Sequence, residues 1–343
     1  MPAQGIPIGN VALQIILSVG IIIIAAKYLG TLAKKLGIPQ VAGEIVAGLL
    51  LRYLPFFRHF GDAEPNIIYN ETNQFIAYMA EIGVILIMFS AGLGTNLKSI
   101  VKSGVKSTII AASGVLVPLA MGTVMALCFW GFDGIGTQTF YQALFIGAIL
   151  TATSVSITVA ALKELGKINS EVGQTIISSA IIDDVFGIIV LTVVLGASSG
   201  TGSYTGLIVR TLAFFLAAGI AGFIIYHIFK WYDNRHPHSH RIPIYGLGVA
   251  LLFAYCTDRF FGIADITGAY IAGVVFCNLD DAAYIDQKVE VNSYMVFSPL
   301  FFASIGLKTN LSGLTMDLLW FSIAFVAVGC LAKIIGCGGM SLC

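Results

Sequence analysis

The chain has 343 residues, 57% of them hydrophobic and only 10% charged, and its 18 basic and 18 acidic side chains cancel. Soluble domains carry about 25% charged residues, so this composition excludes an ordinary soluble domain and describes an integral membrane protein. So few Lys and Arg cannot assemble a basic surface, which excludes nucleic acid as a partner.

A membrane helix needs roughly 20 mostly apolar residues. In chain order, candidate spans lie near 10–29, 38–54, 75–94, 107–130, 140–162, 171–197, 205–229, 242–257, 262–278, 292–307 and 316–338. The second, eighth and ninth are short. The N-terminal MPAQGIPIGN lacks the positive region of a cleaved signal peptide. Lys and Arg then set the orientation. On one side of these spans fall Lys27, Lys34, Lys35, Lys98, Lys102, Lys106, Lys163, Lys167, Lys230, Arg235, Arg241 and Lys288; on the other fall Arg52, Arg58, Arg259 and Lys308. Positive residues favour the cytoplasm, so the N-terminus is expected outside.

Two motifs recur. SAGLGTNL from Ser90 reappears as SIGLKTNL from Ser304, and VAGEIVAGL from Val41 resembles ITGAYIAGV from Ile266. Both comparisons step by seven spans, an odd number, so the copies face opposite ways. Inverted repeats of this kind mark secondary transporters, whose sites lie at the repeat interface near the midplane. The counterpart of the sixth span falls beyond Cys343, so two further helices are expected that this sequence does not carry.

The fifth span, ILTATSVSITVA, holds Thr151, Thr153, Ser154, Ser156 and Thr158. Such hydroxyls either satisfy an unwound stretch of backbone that could ligate ions or bond back to carbonyls of an unbroken helix. The sixth span contains IIDDVFGIIVL, with Asp183 and Asp184 adjacent. A carboxylate at a helix centre costs about 2.5–3.5 kcal/mol to insert. Neighbours on a helix diverge by about 100°, so one acid can meet a fixed cation while the other faces a cavity. The plainer alternative is a pair of acids that simply ties helices together. Lys333, in the eleventh span, is either the cationic partner or a lysine snorkelling to the surface.

Glu44 and Glu81 are accessory candidates; Glu44 lies near the cytosolic face and Asp265 near an outer one. Cys128, Cys256, Cys277, Cys330, Cys337 and Cys343 have neither metal nor secreted-type spacing and read as packing residues. No metal centre is expected, and His236, His238 and His240 read as part of a solvated loop. Asn70 and Asn310 match a glycosylation pattern on outward loops. An aspartyl protease needs two facing carboxylates sharing a proton, which adjacent residues cannot provide, so no enzyme is expected.

The combination of TATS, IIDDVFGIIVL, PQVAGEIVAGLLL and AKIIG resembles the monovalent cation:proton antiporter-2 family, and within it the bacterial sodium/proton antiporters of NapA type. The resemblance covers essentially the whole chain. It implies an all-α polytopic protein of inverted-repeat antiporter fold, with about 11 of an expected 13 transmembrane helices, and a homodimer in lipid at the inner cell membrane. Residues 1–343 then form one transmembrane domain. A panel takes about 10–105 and 242–310, an incomplete core about 106–200 and 316–343, and a linker helix about 205–229. Asp184 matches the carboxylate that carries sodium (or potassium or lithium) and protons. Asp183 matches its neighbour paired with Lys333, and Thr153 and Ser154 match the break in a crossing helix, with Thr151 accessory. The implied activity is electrogenic sodium/proton exchange by alternating access, without cofactor. Potassium/proton exchange is a variant of it, and a non-transporting remnant or ion sensor is the alternative for a chain of this length.

Overall fold

The computed structural model describes residues 8–55, 57, 60, 67–95, 97–199, 204–235, 241–311 and 315–341; the side chain of Asp184 lies outside that description. The described residues form helices and short connections. These are α1 (Ile8–Lys35), α2 (Gln40–Leu51), α3 (Ile67–Leu93), α4 (Leu97–Trp130), α5 (Gln138–Thr151), α6 (Val155–Glu164), α7 (Glu171–Ser199) and α8 (Tyr204–Arg235). There follow α9 (Arg241–Cys256), α10 (Asp265–Phe276), α11 (Ala282–Asn292), α12 (Ser298–Lys308), α13 (Met316–Lys333) and a last turn, α14 (Gly339–Ser341). Wider π-helical turns extend α9 over Thr257–Phe261, join α11 to α12 over Ser293–Phe297, and join α13 to α14 over Ile334–Gly338.

The apolar stretches found in the sequence fall on helices, the fifth of them divided between α5 and α6. Among the described residues, α1, α3, α4, α8, α9 with its π turn, and α13 through α14 are long and apolar enough to cross a membrane; α2 and α10 are shorter apolar helices. Hydropathy places the starts of α3 and α4 roughly two to three turns late, because those turns are polar. Asn70 and Thr72 are consequently in α3 and not in a loop, and Lys98, Lys102 and Lys106 are in α4. His236, His238 and His240 lie outside the described residues, as does Cys343.

The helices pack in two groups. In one, α2, α3, α10 and α12 cross one another, with α1 and α9 alongside; in the other, α4, α5, α7 and α13 pack together. α6 touches α2, α3 and α7 and so bridges the groups. A buried cluster of Val41, Met88, Val155, Val159, Ile177, Tyr270 and Phe302 runs through this junction. Lipid tails are as apolar as leucine, so helix association in a membrane depends on close packing, and the glycines supply it. A Cβ on Gly48 would stand 1.9 Å from the Ala303 carbonyl oxygen, and one on Gly306 would stand 2.1 Å from that of Ile45. Likewise a Cβ on Gly273 would stand 2.2 Å from the Phe89 oxygen, and one on Gly92 would stand 2.3 Å from that of Tyr270.

These two crossings are the repeat made visible. The motif alignment pairs Gly48 with Gly273, Gly92 with Gly306, Ile45 with Tyr270 and Phe89 with Ala303. The α2–α12 crossing therefore maps contact for contact onto the α3–α10 crossing. Thr95 and Thr309 also match, each donating its hydroxyl to a carbonyl four residues back, Ala91 and Ile305, at 3.0 Å.

Candidate functional site

The fifth span is broken. α5 stops at Thr151, Ala152 is extended (φ −65, ψ 127), and α6 begins after Ser154. Of the two readings of its hydroxyls, the interrupted backbone is the one found. The hydroxyls serve the break. Thr151 Oγ1 donates to the Ala148 carbonyl at 2.7 Å, closing the end of α5. Ser154 Oγ accepts from the Ile157 N–H at 3.3 Å, which caps α6. Thr153 Oγ1 lies 3.4 Å from the Thr151 carbonyl. Ala152, Thr153 and Ser154 are exposed.

α7 passes beside it. A Cβ on Gly187, one turn after Asp183, would lie 3.9 Å from Thr151 Oγ1, so the Asp183 face of α7 is turned to the break. Asp183 is buried, and Lys333 Nζ reaches its Oδ2 at 3.1 Å and its Oδ1 at 3.4 Å. The Thr153 hydroxyl is near enough to interact with the same carboxylate. Lys333 therefore turns inward, and the snorkelling alternative is not what is found. Its ammonium also donates to the Gly114 carbonyl on α4 at 2.9 Å. Ser113 Oγ donates to the Gly336 carbonyl at 2.8 Å, pinning the π turn that follows Lys333 against α4. One ammonium thus ties α13 to α7 and α4 and neutralises the first aspartate. Asp184 follows Asp183 on α7.

A second polar constellation gathers on the side where the sequence places most of its lysines. Glu44 is 2% exposed: Lys27 Nζ meets its Oε1 at 3.1 Å and Gln40 Nε2 donates to it at 3.0 Å. The Lys27 ammonium also lies 3.5 Å from the centre of the Tyr294 ring. On α6, Lys163 Nζ donates to Ser90 Oγ at 2.7 Å and to Glu290 at 3.2 Å, and Glu164 accepts from the Gln40 N–H at 2.6 Å. Ser90 donates in turn to Asp286. A cavity of about 260 Å³ opens among Lys27, Glu44, Ser90, Lys163, Glu164 and Glu290. Burial holds the Asp286 carboxyl above the ordinary aspartate value, outweighing the Lys163 ammonium and the Ser90 hydroxyl, which act the other way.

Glu81 is elsewhere: exposed on α3, beside Asp265 at the start of α10 and with Lys308 in range. The structure thus brings Thr151, Thr153, Ser154, Asp183 and Lys333 together and leaves Glu44 and Glu81 apart from them. Sequence reasoning missed Gly114, whose carbonyl is a ligand, and Lys27 as the partner of Glu44. The latter had a signal, since Lys27 lies only 17 residues from Glu44 across one tight connection.

Membrane-spanning helices around an interrupted helix, with a buried ion pair and an internal repeat, are the features of a secondary transporter. The chain belongs to the sodium/hydrogen exchanger family: the family model described as "Sodium/hydrogen exchanger, transmembrane" matches residues 20–342. Among its relatives, GerT of Bacillus cereus is 31% identical over 93% of this chain and 80% of its own length. The "Na(+)/H(+)-K(+) antiporter GerN" of Bacillus cereus is 30% identical over 93% and 78%. The "Na(+)/H(+) antiporter" of Enterococcus hirae is 31% identical over 92% and 78%. The fold matches that of the sodium proton antiporter MjNhaP1 from Methanocaldococcus jannaschii, with TM-score 0.68 and 16% identity over 95% of this chain and 78% of that one.

Proposed function

We propose that this chain exchanges sodium for protons across the inner cell membrane, with Asp184 as the group that binds either ion in turn. The observation that carries this reading is the Asp183–Lys333 pair beside the open break at Ala152–Ser154. Neutralising the first acid internally leaves its neighbour as the carboxylate available to a mobile cation. A proton and a sodium ion compete for that one charge, so exchange needs no second site. Thr153, Ser154 and, behind them, Thr151 line the break with oxygen atoms suited to a hard monovalent cation. The names of the relatives point to sodium, and that of GerN adds potassium as a possible cargo.

In this reading α4–α7 and α13 form the core, about 106–200 and 316–343, which moves against a panel of about 10–105 and 242–310. The separate packing of the two helix groups supports it. The exchange is electrogenic, more protons than cations moving per cycle, and the working unit is a homodimer of an 11-span chain with its N-terminus outside. Everted vesicles carrying the chain test the assignment. Adding sodium should collapse a preformed pH gradient, and Asp184→Asn should abolish this at unchanged protein level. Exchange that persists in D184N overturns the role of Asp184. A chain that binds sodium without moving protons would instead be an ion sensor or remnant.

A further inference from the structure

We propose that Pro118 is a positioning residue of the ion site, acting through the Gly114 carbonyl that it leaves free to hold the Lys333 ammonium. In an α-helix the carbonyl of one residue accepts from the N–H four residues on. For Gly114 that donor is residue 118, a proline inside α4. Proline has no N–H, so the helix's own ladder leaves the Gly114 carbonyl without its partner. Away from water such a group demands another donor. Lys333 supplies it at 2.9 Å, closer than either oxygen of Asp183 at 3.1 and 3.4 Å. A Cβ on Gly114 would stand 2.7 Å from Cys337 Sγ but at ordinary contact distance, 3.8 Å, from Lys333 Nζ, so the glycine makes room for the π turn that follows the lysine. Proline and glycine four residues apart thus build a socket for one ammonium.

The carbonyl keeps its dipole whatever the ionisation of Asp183, so it holds the lysine on α4 through states in which the aspartate does not. This has a consequence for transport that rests on the reading of Asp184 as ion carrier. A lysine released from the socket can turn towards the second carboxylate and compete with sodium there. Pro118 keeps that competitor away.

Pro118→Ala and Pro118→Gly both restore an N–H at this position but differ in helix propensity. Sodium-dependent exchange in everted vesicles, followed against sodium concentration, should show the apparent KM rising about tenfold in both, the factor carried by one hydrogen bond to a charged group. Vmax should fall by much less. A proline that only bends α4 would change Vmax and leave KM alone; an unchanged KM in both variants overturns the proposal. Thermal melting in detergent gives a readout independent of transport. P118A should shift the midpoint less favourably when Lys333 is present than in the K333M background, where the helix regains a bond and no ammonium loses one. Loss of folded P118A protein with Lys333 but not in K333M supports the socket. Equal changes, or loss of folded protein, in both backgrounds overturn it. If the chain shows no exchange at all, the Asp184 reading fails while melting still decides the socket.

Discussion

Removing the charge of Asp183 alone should destabilise the protein, and removing both charges of the pair should largely restore it. Breaking a buried ion pair by deleting one partner costs about 3–5 kcal/mol, because the other charge is left uncompensated. Here the Asp183 side chain is 7% exposed and that of Lys333 26%. The ammonium also keeps its bond to Gly114, so the lower end applies, about 3 kcal/mol. Unfolding entropy of about 2.1 cal/mol/K per residue makes that a fall of about 4 °C in Tm for a chain of this size. Asp183→Asn should show this shift in detergent, followed by the fluorescence of the three tryptophans. The double variant D183N/K333Q should recover at least half of it. An unchanged Tm in D183N, or a double variant no better than the single one, would refute the idea that this pair is a buried charge balance.

Other perturbations separate packing from chemistry. Gly48→Ala and Gly273→Ala should each cost about 2–3 kcal/mol, the upper range for overpacking, since each added Cβ meets backbone. Gly20→Ala, with nothing within 4 Å of its Cβ, should leave Tm unchanged, and equal losses in all three would remove the argument from helix crossing. Ser154→Ala should cost about 1 kcal/mol through the lost cap of α6, and Ser154→Gly less; melting midpoints check the order. Asp286 is held above its ordinary value by burial, so the folded state takes up its proton more readily than the unfolded one. Stability should therefore fall as pH rises from near 4, the ordinary aspartate value, through the raised value. Melting across pH 4–7 should show a smaller decline for Asp286→Asn; an identical profile would refute this.

How much could be read in advance varied with the physics involved. Apolar runs located the helices because lipid exposure leaves a strong compositional trace. That signal fails where helical turns are polar, as at the starts of α3 and α4. The charge balance around Asp183 came from the family resemblance: composition alone left Lys333 free to snorkel and did not say which aspartate it would meet. The break at Ala152–Ser154 was not decided by composition: the same hydroxyls suit an intact helix, and only the course of the backbone separates the two. The burial of Glu44 was not legible because one-dimensional distance from a loop says nothing of burial, and Lys27 was counted with the charges flanking the spans although α1 runs to Lys35. The glycines of the repeat were visible as motifs, but which backbone each admits depends on three-dimensional partners.

The two glycine crossings also set where this molecule can bend. With carbonyl oxygens lying where methyl groups would otherwise sit, α2 against α12 and α3 against α10 have no slack in which to slide. Those four helices behave as a fixed chassis. In the exchange proposed above, a displacement that turns an ion from one side to the other would fall to the seam along α6, where Lys163 and Glu164 reach across through long, rotatable side chains.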